Sequence, residues 1–115
     1  MYKFSYAEIL EDSSTESRAR ERDAFDRALE LLVSAESAGL DTPECRAAML
    51  FLQRLWGLLI RDLTDANNEL APELRADLVS IGLWNIREAD RVLEQSSSNF
   101  SGLININRTI RDGLQ

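Results

Sequence analysis

The chain has 115 residues, of which 44% are hydrophobic and 29% charged. That composition suits one folded domain over residues 1–115 and is too apolar for a disordered tail. Twenty acidic against thirteen basic side chains leave a net charge of -7, which repels phosphate backbones. With no histidine, one lysine (Lys3) and one cysteine (Cys45), the chain offers no footing for disulfides, zinc fingers, histidine acid–base chemistry or Schiff-base lysines.

Turn-forming residues at 39–43, 67–72 and 96–102 divide the chain, and the pieces between them have helical periodicity. A first helix is predicted over residues 14–38. Ser13 and Glu16 fit a capping box at its start, and Gly39 fits the left-handed position just past its end. Phe25, Ala28, Leu29, Leu32 and Ala35 form its apolar stripe. The opposite face carries Arg18, Arg20, Arg22 and Arg27, interleaved with Glu21, Asp23 and Asp26. It reads as a solvated surface rather than a nucleic-acid footprint.

A second helix is predicted over residues 43–63, opened by Thr42 as cap and Pro43 at the first helical position. Ala48, Phe51, Leu52, Leu55, Trp56, Leu59, Ile60 and Leu63 cover most of its circumference, as in a central helix. The third helix is predicted over residues 72–95. Leu74, Leu78, Val79, Ile81, Leu83, Ile86, Ala89 and Leu93 form a broad apolar face, and Glu73, Asp77, Ser80, Arg87, Glu88, Arg91 and Glu94 a polar one. Trp84 falls on the polar face, where either another part of the chain or a partner must cover it. Gly57 and Gly82 interrupt helical patterns, each at about 1 kcal/mol relative to alanine.

The tail from Ser101 is predicted as a short helix, with Leu103, Ile106, Ile110 and Leu114 on one stripe and Gly113 placed to end it. Tyr2, Phe4 and Tyr6 form an apolar aromatic segment at the other end. The expected architecture is therefore all-α: three longer helices, a short C-terminal helix and an N-terminal aromatic segment. The longest apolar runs, residues 47–52 and 55–60, fall short of the ~20 residues that a membrane span needs. The first residues lack the apolar run of a secretory signal. A cytoplasmic protein without membrane contact is expected.

Catalysis is not expected, and no catalytic residue is assigned. Cys45 lies in the first turn of a predicted helix, a place that can lower a thiol pKa, but no histidine can pair with it, so it reads as an inert cysteine. No metal or cofactor is expected either. Asp62 to Glu73 spans twelve residues with an acid at each end, like a calcium loop, but Thr64, Ala66 and Asn67 replace the ligands and the glycine, so a helix-to-helix turn is the better reading. What remains is a protein-contact surface suited to an amphipathic helix. The candidate contact residues are Trp84, Tyr2, Phe4, Tyr6, Leu103, Ile106 and Ile110.

Three ordered motifs carry a resemblance. They are Arg54-Leu55-Trp56 followed by Asp62, then Leu70-x-Pro72-x-Leu74-Arg75-Ala76-x-Leu78-x-Ser80-Ile81-x-Leu83-Trp84, then Leu103-Ile104-x-Ile106-Asn107-x-x-Ile110-x-x-Gly113-Leu114. Together they resemble the FlaF family of flagellar biosynthesis regulators. Tyr2-x-Phe4-x-Tyr6-Ala7-Glu8-Ile9 is similar to the start of rhizobial-type members. The resemblance implies a small cytoplasmic factor of alphaproteobacteria that controls flagellin production after transcription, in tandem with a second regulator, FlbT. It further implies flagellin as a partner, bound in the manner of an export chaperone. It implies no catalytic residue and no cofactor. A direct RNA-binding regulator of flagellin mRNA is the alternative, and net charge argues against it. Exposed apolar ends would also serve self-association.

Overall fold

The computed structural model describes the backbone of residues 6–114 and the side chains of residues 16–114. Four helices follow one another: α1 Tyr6–Ala38, α2 Pro43–Leu63, α3 Pro72–Leu93 and α4 Phe100–Asp112. No strand occurs among the described residues. The tail is helical, as its stripe predicted. The first helix differs from expectation: it begins at Tyr6 rather than near Ser14, and Ser13 lies inside it. Ala7, Glu8, Leu10 and Glu11 are good helix formers, and their summed propensity carries the helix through the serines. Tyr2 and Phe4 lie outside the described residues, as does the side chain of Tyr6.

Local chemistry sets the other boundaries. Gly39 adopts φ +92° just past α1, a conformation that costs glycine nothing. Thr42 donates its hydroxyl to the Gly39 carbonyl at 2.8 Å and accepts from the Cys45 amide at 3.1 Å, joining the end of α1 to the start of α2. Beyond α2 the chain makes the expected helix-to-helix turn. Asp65 Oδ1 accepts from the Asn67 amide at 2.8 Å, and Asn68 Oδ1 accepts from the Leu70 amide at 3.0 Å. At the end of α3, Ser96 N donates to Arg91 O and Gln95 N to Val92 O, with Gln95 at φ 62°. This is a Schellman motif with glutamine in the left-handed position. Asn99 caps α4 by accepting from the Gly102 amide at 3.1 Å, and its Nδ2 donates to Glu88 on α3 at 3.2 Å.

The helix α2 packs against both α1 and α3, while α4 packs back on α1. The core contains Phe25, Leu32, Met49, Leu52, Trp56, Val92 and Leu103, all essentially without solvent contact. Phe25 meets Trp56 edge to face, with ring centroids 5.6 Å apart. Gly82 gives Trp56 its room: a Cβ there would lie 2.6 Å from the indole and 3.0 Å from Ile60. Gly57 has nothing within 4 Å of such a Cβ. Gly57→Ala is therefore expected to stabilise the chain by about 0.5–1 kcal/mol and Gly82→Ala to destabilise it. Urea denaturation of the two variants checks this, and equal effects would contradict the packing described.

Two asparagines lie inside. Asn107 accepts from Trp56 Nε1 at 2.9 Å and donates to Asn85 Oδ1 and to the Leu103 carbonyl, each at 2.7 Å. Asn85 donates to the Ile81 carbonyl at 2.9 Å. This chain of hydrogen bonds links α2, α3 and α4, and both asparagines are fully buried. Glu88, expected on the outer face of α3, is also buried and is satisfied by Arg91 at 3.0 Å and by Asn99.

Candidate functional site: an open apolar groove

The helix α1 is twelve residues longer than α2 (33 against 21). Because the two are joined at the C-terminal end of α1, the excess runs past the far end of the bundle. At that end α2 stops at Leu63, α3 begins at Pro72 and α4 stops at Asp112. These three helix ends and the flank of α1 leave a half-open cavity of about 440 Å³ between them. Phe25 and Trp56 reach it from the core, and its walls include Leu59 and Leu63 of α2, Leu74 and Leu78 of α3, and Ile110 of α4, with Leu70 and Leu114 beside them. Leu70 is 41% exposed and Leu74 47%. The first turns of α3, expected to face the core, instead line this opening, because α4 packs on α1 and stops short of covering them.

Two carboxylates stand in the groove wall, Glu21 from α1 and Asp62 from α2. Burial pushes the Glu21 carboxyl above the usual carboxylate range, and the neighbouring Asp62 charge raises it further; Arg20 opposes both. Arg18 also lines the groove. Among the described residues neither Glu21 nor Asp62 forms an ion pair; the ion pairs lie elsewhere, as in Arg20–Glu16, Arg91–Glu88 and Arg111–Asp26. The raised Glu21 pKa means that the folded chain holds its proton to a higher pH than the unfolded chain. Stability is therefore lost as pH rises through that interval. Glu21→Gln is expected to raise the melting temperature at neutral pH, and the gain should vanish below about pH 4.3, where both states are protonated. Thermal melts of the pair across pH 3–8 check this; a gain that persists at the acid end would contradict it.

The other wall of the bundle is tied differently. Arg111 of α4 donates to Asp26 of α1 at 2.7 Å. This bond holds Asp26 below its usual range and Arg111 above its own. The pair supports folding above the ordinary aspartate range and is lost as pH falls through the lowered value.

The sequence-derived contact residues fall in different places. Ile110 lines the groove and packs on the core. Ile106 is half-buried on α4. Leu103 is fully buried, so it supports α4 from inside and presents no surface. The described residues cover Trp84 only in part: it is 39% exposed, beside Leu83 at 38%. The sequence puts Leu74 and Leu78 on the apolar face of α3, and only the absence of a fourth long helix over the start of α3 marks them as open. Cys45 sits inside the fold near the start of α2. Its thiol is buried, and desolvation pushes its pKa up, against the opposing pull of Arg46, rather than letting the helix start lower it. An aromatic disulfide reagent should label it only as fast as the chain opens; labelling at the rate of a free thiol would contradict its burial.

The whole is a small four-helix domain, with an apolar groove at one end and a partly exposed tryptophan on α3. The chain belongs to the FlaF family: the model of that family, described as flagellar protein FlaF, matches residues 2–114. It is therefore a flagellar-related protein. Comparison with curated proteins gives no match, and comparison with solved structures gives none either. No helix among the described residues is long and apolar enough to cross a membrane.

Proposed function

We propose that the chain binds unassembled flagellin as a chaperone-like export factor. Through that binding, in partnership with an FlbT-type regulator, it adjusts flagellin synthesis after transcription in the cytoplasm. On this reading it is a contact protein with no reaction, metal or cofactor of its own. The observation that carries the reading is the groove. Leu70 and Leu74 are left open to water beside a well-packed core, which suits capture of an amphipathic helix. Unassembled flagellin has amphipathic terminal helices that need such shielding. Trp84 with Leu83 supplies a second exposed apolar patch, and the half-buried Ile106 and Ile110 support the contact surface on α4.

Direct RNA contact gains no support from the arginines of α1. Arg20 pairs with Glu16 and Arg27 with Glu30, and the net charge is -7. Size-exclusion chromatography of the chain with monomeric flagellin and with FlbT, singly and together, tests the proposal. A stoichiometric complex with flagellin alone is expected. Co-elution with FlbT alone, with flagellin eluting separately, would make the chain an adaptor instead.

A further inference from the structure

The groove wall is chemically uneven. Its floor is apolar, yet α1 and α2 each place a carboxylate in it, Glu21 and Asp62, close enough for one charge to raise the other's pKa. Neither is in an ion pair among the described residues. Arg18 lines the same cavity but, among the described residues, forms no ion pair with either carboxylate. Two like charges held together at the edge of an apolar surface destabilise the free chain, and a cation brought by an occupant would relieve both. An acidic occupant would add a third negative charge to the pair.

We infer that the groove takes an amphipathic helix of another polypeptide that carries a lysine or arginine between its apolar anchors, the anchors seated against Leu74 and Ile110 and the cation between Glu21 and Asp62. This rests on the reading that the groove is the binding site, and it adds the chemistry of what is bound. A second copy of this chain fits poorly, because each copy carries a net charge of -7. The helix mode fits the shape, since the cavity is half-open and walled by three helix ends and the flank of α1.

The test uses fluorescence anisotropy of two synthetic amphipathic peptides of about 18 residues. They share leucine anchors and differ only in carrying lysine or glutamate between them. The full chain should bind the lysine peptide about tenfold more tightly than the glutamate peptide. Glu21→Gln and Asp62→Asn should each weaken the lysine peptide by about threefold or more, and Asp62→Lys should reverse the preference. Glu36→Gln removes the same charge from the exposed end of α1 and should change neither affinity.

Equal affinity for the two peptides overturns the inference, as does a preference that Glu36→Gln erodes as much as Glu21→Gln does. If the lysine peptide binds only after removal of residues 1–5, which contain Tyr2, Lys3 and Phe4, then the groove belongs to this chain's own N-terminus and the inference fails. If the free chain is a dimer that Leu74→Asp dissociates, the occupant is a second copy and the inference fails likewise. The two levels separate in parallel assays with flagellin. Flagellin binding that ignores Glu21 and Asp62 removes the charge rule and leaves the proposed function standing. A charge rule obeyed by the peptides without flagellin binding removes the proposed function and leaves the groove chemistry.

Discussion

Replacing Trp56 with alanine is expected to cost about 3–5 kcal/mol, a large share of the roughly 5–15 kcal/mol that holds a domain of this kind together. The indole fills the space opposite Phe25, its edge leans on Gly82, and its Nε1 donates to Asn107. Trp56→Phe separates two of these roles. It keeps most of the apolar volume but leaves the buried Asn107 Oδ1 without its donor, a loss of about 1–3 kcal/mol. Asn107→Leu should also be costly, because it strands Asn85 Oδ1 and the indole N–H inside the core. Urea denaturation followed by far-ultraviolet circular dichroism measures all three. A Trp56→Phe variant within about 0.5 kcal/mol of the parent would show that the Trp56–Asn107–Asn85 chain does not fasten α4.

Leu74→Asp is expected to act on binding and not on folding. Leu74 is 47% exposed in the free chain, so a polar replacement should shift stability by no more than about 0.5 kcal/mol. In a complex the same side chain lies against an apolar anchor. A carboxylate there adds desolvation cost and repulsion from Glu21 and Asp62, a loss of at least about 2 kcal/mol, or roughly thirtyfold in affinity. Titration calorimetry with monomeric flagellin measures this, with denaturation curves as the folding control. Trp84→Ala makes a useful companion. An effect from Leu74→Asp without one from Trp84→Ala would confine contact to the groove, and the reverse would move it to the middle of α3.

Much of the fold is legible in single residues. Gly39, the Thr42-Pro43 pair, Pro72 and Gly113 mark helix ends because their chemistry acts locally, and the structure ends or begins a helix at each. The start of α1 is not legible in that way. Ser13 and Glu16 have cap spacing, but a cap motif competes with helix propensity on both sides, and here the helix continues. Periodicity puts Glu88 on the outer face and leaves Asn85 and Asn107 unassigned, so the burial of all three escapes it. Their burial depends on partners far along the chain: Trp56 is 51 residues from Asn107.

The groove was illegible for the opposite reason. Leu74 and Leu78 look like core because they are apolar at helical spacing, and only tertiary packing shows that they line an opening among the described residues. Cys45 illustrates the same limit in electrostatics. The helix start that would lower its pKa is visible in sequence, whereas the burial that overrides it is not.

Amide hydrogen exchange of the chain with and without monomeric flagellin bears most directly on the proposal that this is a contact module working through its groove. The first turns of α3 and the last turn of α4 should exchange readily in the free chain, since both are helix ends with open walls. With flagellin bound, slowing should concentrate in residues 68–78 and 109–114. Flagellin binding that slows exchange only elsewhere, for example along the exposed Leu50 and Leu58 side of α2, would contradict the account.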